Sequence, residues 1–333
     1  MKLIELETNE WDEFVYSHPN GHPFQLSKWG ELKSNFSWSS VIYGIKQNNK
    51  IVAGAQVLLL DIPLIKRKLA YIPRGPIADR DQEMIEILDL LGQKARELGA
   101  ISLKVEPAIE NLNFPKGWRK SSNTILHPET IIKDLGLENE DQLYSSLNSE
   151  VRYSVRRATR EGVSVKEHQA DKLPKEFWSL YQETAKRSDF NIHTLKYYDL
   201  AYSLLKPYSR IWLARDEQDK AIGFVWMFKI KTRSIFLYAG SDDIARKTLA
   251  NYLLQWEAIR GLYQDGVKEH DLNGNVTAGV GGYKKKFASR EVTWVGSYDL
   301  PLSKTIYFIW ERLLPATKPI LRKVKHLKEI VNK

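Results

Sequence analysis

The sequence predicts an α/β (α+β) protein of two tandem domains, each a mixed sheet flanked by helices. Three observations predict it: a β-β-β-α-β order from Arg210 to Gly274, the same order from Val41 to Val105, and a length of 333 residues, enough for two separate cores. In the later stretch, Ile211–Ala214 and Ile222–Phe228 are apolar runs separated by the polar turn Asp216–Lys220. Ser234–Gly240 reads as a third strand that stops at Ser241-Asp242-Asp243. A long helix then carries Leu249, Tyr252, Leu253, Trp256, Ile259 and Leu262 at the three-and-four spacing of a half-buried helix. Gly266 ends it, and Val267–Leu272 returns as a strand.

The earlier stretch repeats the order. Val41–Ile45 and Ile51–Leu60 flank Asn48-Asn49-Lys50 as a hairpin, Leu69–Ile72 is the third strand, Met84–Leu98 the helix and Ile101–Val105 the returning strand. Superposed, the copies pair Gly54 with Gly223, Tyr71 with Tyr238 and Glu106 with Asp271 at a nearly constant offset. This order suits a GNAT-type acyltransferase fold. The expected division is residues 1–145 and 146–300 as two GNAT-like domains, with 301–333 as a basic helical segment.

Composition narrows the function classes. Hydrophobic residues make up 43% and aromatics 11%, which describes a folded chain. The sequence has no Cys, so disulfides, thiol nucleophiles and cysteine-built metal sites are excluded. No apolar run approaches the roughly 20 residues that span a bilayer, and the acidic first residues lack a signal-peptide core. A cytoplasmic monomer is therefore expected. The formal charge of +9 raises the expectation of an anionic partner: nucleic acid, a phosphorylated substrate or a membrane surface.

Several motifs can carry chemistry, and each has a plainer explanation. Ser27 can cap a short helix on which Trp29 and Leu32 face inward and Lys33 outward. Tyr71-Ile72-Pro73-Arg74-Gly75-Pro76 ends a strand in a stiff loop that can hold a phosphate or carboxylate through Arg74; a simple strand-ending turn explains it equally. Glu106 and Asp271 close the two returning strands, where a carboxylate can take a proton from an amine or simply face water. Arg152, Arg156 and Arg160, spaced four apart, can form a phosphate-facing ridge or a solvated face. A second helical stretch runs from Phe177 to Phe190. Asn273 to Gly282 is rich in glycine and leads into Tyr283-Lys284-Lys285-Lys286-Phe287, so a mobile loop can close over a substrate there. Its glycine spacing is not that of a nucleotide-phosphate fingerprint. Near the end, Arg322, Lys323, Lys325 and Lys328 can touch an anionic membrane or RNA, or remain solvated.

Over nearly its whole length the chain resembles the Fem family (FemABX) of peptidoglycan-bridge aminoacyltransferases, and by size its FemX type. The resemblance is carried by Phe24-Gln25…Trp29-Gly30-Glu31-Leu32-Lys33, Tyr71 to Pro76, Thr130-Ile131-Ile132…Asp134-Leu135 and Arg152-Tyr153…Arg156…Ala158…Gly162-Val163. Further matches are Glu183-Thr184-Ala185…Arg187…Phe190, Tyr252 to Ala258, Tyr283-Lys284…Phe287 and Val295-Gly296…Tyr298-Asp299. It implies two GNAT-like domains and transfer of an amino acid from aminoacyl-tRNA to a stem-peptide amine of a peptidoglycan precursor, UDP-MurNAc-pentapeptide or lipid II. It also implies that Lys33 and Arg187 hold the precursor and that Lys284, after Tyr283, sits at the transfer centre. Relatives usually have Asp where Glu106 stands as proposed base. They commonly have Phe-Lys where this chain has Tyr283-Lys284, and Lys-Gly-Phe-Gly where it has Lys285-Lys286-Phe287-Ala288. No sustained heptad run corresponds to the coiled-coil arm of longer members.

The expected site is thus Lys284, Tyr283 and Glu106 for catalysis; Lys33, Arg74, Arg187, Tyr71, Tyr238 and Asp271 for substrate; and Arg152, Arg156 and Arg160 for tRNA. Aminoacyl esters are already activated, so neither metal nor cofactor is expected. Peripheral contact with the inner face of the membrane is a further expectation. The alternatives are an acyl-CoA-dependent GNAT N-acyltransferase and a non-catalytic RNA-binding protein.

Overall fold

The computed structural model describes residues 1–63, 65–274 and 278–313. The first compact unit comprises Met1–Leu6, Phe36–Leu126 and the chain from Val295 onward; the second comprises Glu7–Asn35 and His127–Trp294. Residues 7–35 and 127–145, expected with the first domain, therefore belong to the second unit, and 295–300 belong to the first. Local hydrophobic patterning identifies strands but not their distant partners, so this exchange of segments leaves no mark on it.

In the first unit, β1 (Ile4–Glu5), β2 (Trp38–Gln47), β3 (Lys50–Ile62), β4 (Arg67–Pro73), β6 (Ala100–Glu106), β15 (Tyr298–Pro301) and β7 (Arg119–Lys120) lie side by side in that order, with β5 (Ile77–Ala78) on β3. Asn48 and Asn49 both take positive φ, as the tight turn between β2 and β3 requires. β4 and β6 are parallel, and the helix Asp81–Glu97 connects them. That helix buries Met84, Ile87, Leu88, Leu91 and Ala95, and its acidic first turn and basic last turn suit the helix dipole.

The second unit repeats the plan. Its order is β14 (Arg290–Thr293), β8 (Glu129–Asp134), β13 (Glu269–Asp271), β12 (Arg233–Ser241), β11 (Ala221–Lys229), β10 (Ser209–Arg215) and β9 (Ser164–Glu167). Again the third strand of the meander, β12, is parallel to the strand after the helix, β13. The core gathers Trp212, Val225, Met227, Leu254, Ile259 and Leu262 beneath the helix Ala250–Gln264. Two copies of one mixed α/β plan make this a tandem GNAT-like fold.

Two details depart from expectation. The helix after β12 is broken: Asp242 caps a short helix, Asp243–Lys247, through Ala245 N at 2.9 Å, and Leu249 then takes a left-handed φ of 58° before the long helix starts. The glycine-rich stretch is only partly loop, since Ala278–Lys285 is helical; Asn275, Val276 and Thr277 lie outside the described residues. Arg322, Lys323, Lys325 and Lys328 also lie outside them, and the described end is the helix Lys304–Phe308 with a π-helical turn to Leu313.

Candidate active site

Sheet pairing in the second unit opens the site. β12 bonds to β11 along its whole length but to β13 only at Arg233, Ser234 and Ile235. From Phe236 to Ser241 no strand among the described residues pairs with it on that side. A largely apolar cavity of about 430 Å³ lies there, walled by Phe236 and Ser241 of β12, by Asn251, Tyr252 and Gln255 of the long helix, and by Tyr283 and Lys284.

Lys284 reaches this cavity from the last turn of its helix and is 8% exposed. Its Nζ donates to the Asn273 carbonyl and, at 3.2 Å, to that of Gly274, and lies 5.3 Å from the Phe236 ring centre. Burial lowers its pKa to about 8, while the nearby Asp271 charge opposes the shift. Asp271 itself accepts from Thr130 Oγ1 and, at 2.7 Å, from Asn273 N, so it braces the strand end that holds Lys284. Tyr283 donates to the Asn251 carbonyl at 2.8 Å and packs on Tyr252 and Phe287. Burial raises its pKa, so its hydroxyl keeps its proton.

A second cationic cluster lies in the same unit. Lys33 Nζ sits 4.7 Å from the Trp29 ring centre and 5.0 Å from that of Tyr197, and donates to Tyr197 Oη at 2.9 Å. Among the described residues no carboxylate pairs with it. Burial holds its pKa near 8. His193 stacks on Tyr197 at 4.0 Å, and burial, then the Lys33 charge, lowers its pKa. Tyr238 is half-buried against Tyr198, Tyr181 and Trp226, at a bulge where Trp226 pairs with Tyr238 but Met227 with Phe236. The extra residue, Leu237, shifts the register beside the cluster. Arg187 donates to the Ser241 carbonyl at 2.9 Å, which places it at the cavity margin.

The remaining expected residues fall elsewhere. In the first unit, Tyr71 and Arg74 are buried near each other and Tyr71 donates to Glu106 at 2.5 Å. Glu106, 1% exposed, also accepts from Ile125 N at 2.8 Å, Leu126 N at 3.1 Å and Ser297 Oγ. Its oxygens are thus engaged by four protein donors, an arrangement that suits holding the 125–126 turn better than taking a proton. Arg152 turns back to the carbonyls of Ser145 and Leu147 and leaves the expected ridge, whereas Arg156 and Arg160 are exposed. Asn251, Gln255, His270 and Tyr197 were not singled out as site residues in the sequence. The density of aromatics around His193 was the one available signal.

A sequence model of the FemAB family matches residues 6–124, 116–223 and 214–313. Among characterised proteins, a Lipid II:glycine glycyltransferase of Staphylococcus epidermidis is 23% identical over 413 aligned positions, covering 98% of each chain. One of Staphylococcus aureus (strain USA300) is 23% identical over 419, again covering 98% of each. Among solved structures, that of FemX superposes with a TM-score of 0.83 at 19% identity, covering 94% of this chain and all of that one. A tandem GNAT protein from the clavulanic acid pathway superposes at 0.53 with 11% identity, covering 90% and 98%. The match runs through both units, and the chain belongs to the FemAB family.

Proposed function

We propose that this protein is an aminoacyltransferase that transfers an amino acid from aminoacyl-tRNA to a stem-peptide amine of a peptidoglycan precursor, building the interpeptide bridge. The observation that carries this reading is the buried Lys284, held near pH 8 in the wall of an apolar cavity, in a chain whose relatives are named for transfer of glycine to lipid II. The neutral acceptor amine attacks the ester carbonyl, a tetrahedral oxyanion forms, the C–O bond to ribose breaks as that oxygen takes a proton, and the attacking nitrogen releases one proton, which returns Lys284 to its protonated form. A protonated Lys284 supplies charge to the oxyanion and a proton to the leaving oxygen. Tyr283, Asp271 and the carbonyls of Asn273 and Gly274 fix its position.

Lys33 and Arg187 are assigned to the anionic part of the precursor, Lys33 as a point charge on an aromatic floor and Arg187 through its forked donors. Arg187→Ala is expected to raise the apparent KM for precursor about 10-fold or more, as loss of a charge-assisted bond does, with little change in that for charged tRNA. Equal effects on both substrates would point to a folding role. No helix among the described residues is long and apolar enough to cross a membrane. With lipid II as acceptor, the enzyme would work at the membrane surface.

The exposed Arg156 and Arg160 are assigned to tRNA phosphates. Affinity for tRNA should then fall with salt at a log–log slope of roughly one per phosphate contact, and a Arg156→Ala, Arg160→Ala double variant should flatten it by about two. An unchanged slope would remove these residues from the interface.

Against acyl-CoA as donor, the turn after β12 carries Asp242 and Asp243, and Asp242 already occupies the amide of Ala245 that a pyrophosphate would use. The deciding experiment offers the enzyme charged tRNA or acetyl-CoA with the same precursor. Transfer from charged tRNA alone, abolished by prior hydrolysis of the ester, is expected. Transfer from acetyl-CoA would overturn the reading.

A further inference from the structure

The transfer chemistry leaves one polar feature of the cavity unused. Gln255 lies in the wall on the helix Ala250–Gln264 and is fully buried, and its Oε1 has no hydrogen-bond partner among the described residues. The amide is oriented from behind. Its Nε2 lies 3.5 Å from His270 Nε2, and His270 Nδ1 lies 2.8 Å from Ser234 Oγ. Burial, and to a smaller degree the Lys284 charge, holds the His270 pKa near 3, so the ring stays neutral. A neutral ring accepts the Gln255 N–H at one nitrogen and gives its own N–H to Ser234 at the other. The Gln255 carbonyl oxygen is left as an acceptor without a donor.

A buried acceptor in that state is costly and rare, and one in a cavity wall is completed by what the cavity takes up. The chemistry of that occupant follows from the rest of the wall. Among the described residues no Asp or Glu lines the cavity, whereas Lys284 and Arg246 do. An ammonium would meet two cations in the wall, and the nearby carboxylate of Asp271 already acts on Lys284, so the donor group is uncharged. Phe236 and Tyr252 supply flat apolar surface beside it. Gln255 and Lys284 line the same cavity, which puts the acceptor close to the ester presented there.

We propose that Gln255 is a substrate-binding residue whose Oε1 accepts a hydrogen bond from an uncharged N–H or O–H donor on the acyl donor, next to the ester presented to Lys284. This rests on the tRNA reading above. Three groups near such an ester share that chemistry: the free ribose hydroxyl, the exocyclic amine of the terminal adenine, and the unprotonated α-amine of the amino acid. His270 acts through Gln255 as a positioning residue.

The test uses the full-length protein and four charged tRNAs: unmodified, lacking the free terminal hydroxyl, lacking the adenine amine, and dimethylated on the α-amine. Gln255→Met is expected to raise the KM for unmodified charged tRNA about 10-fold, the usual scale for one hydrogen bond to a buried partner, and to leave the KM for precursor within about twofold. One trimmed donor should cost the wild type a similar factor and cost Gln255→Met almost nothing, and that non-additivity names the group. The assignment is overturned if no trimmed donor costs the wild type anything, a result that holds even should Gln255→Met fail to fold. Additive losses for all three, or tighter use of charged tRNA by Gln255→Glu, which would signal an ammonium, overturn it as well. A wild type inert with every charged tRNA sinks the tRNA reading and this assignment together; an active one with additive losses sinks the assignment alone.

Discussion

Lys284→Met is expected to lower kcat on the order of 100-fold or more, the loss typical of removing one preorganised donor to a developing oxyanion, while both substrates still bind. Met keeps the stem and removes the ammonium that lies over Phe236 and that Asn273 and Gly274 hold. The lost interaction exists mainly in the transition state, so kcat should fall and the KM values should hardly move. Its neighbours provide the control. Lys285 pairs with Glu291 at 2.9 Å and Lys286 with Glu150, both outside the cavity wall. Similar activity of the Met variants at 284, 285 and 286 would refute the assignment. The wild-type pH profile carries the same information: a rate that needs protonated Lys284 falls as pH rises through about 8. The stability linkage has the opposite sign. A lysine whose pKa is lowered on folding binds fewer protons folded than unfolded, so between about 8 and its ordinary value near 10.5 it makes the protein more stable as pH rises.

The second large effect is on stability. Glu106→Ala is expected to destabilise the first unit by about 3 kcal/mol, because buried donors from Tyr71, Ile125, Leu126 and Ser297 lose their acceptor together. Chemical denaturation would measure it, with the midpoint falling at unchanged slope. Glu106→Asp should recover part of the loss, since the shorter carboxylate still reaches some donors. A variant as stable as the wild type but without turnover would instead restore Glu106 as the base.

The fold was legible where physics is local. The apolar runs, the Asn-rich turn before β3 and the apolar stripe from Met84 to Ala95 each depend on neighbours close in sequence, and each forms within a few residues of its expected bounds. The exchanged strands were not legible. β8 and β15 are short, and nothing within them states that one pairs with β13 and the other with β6. The break at Leu249 was hidden because its apolar side chain fits the helical stripe while its backbone leaves the helix.

The site divides in the same way. Lys33, Arg187 and Lys284 were named from motifs, and the second unit holds all three. Lys284 stood out beside two other lysines only through resemblance, because its burial comes from Phe236 and the end of β13. Arg152 looked equivalent to Arg156 and Arg160 because periodicity places side chains on faces without showing which guanidinium finds a carbonyl. Gln255 sits one helical turn from Tyr252 in an ordinary buried helix, and only the missing partner of its Oε1 sets it apart.

The central claim, aminoacyl transfer to a peptidoglycan precursor, is tested most directly by the mass of the precursor. Purified protein is incubated with a mixed pool of charged tRNAs and, in parallel, with UDP-MurNAc-pentapeptide and with lipid II, and each precursor is weighed by mass spectrometry. The account predicts a gain of one amino-acid residue on at least one precursor, dependent on intact charged tRNA and lost with Lys284→Met. An unchanged mass on both precursors, with the charged tRNA still intact, would contradict it.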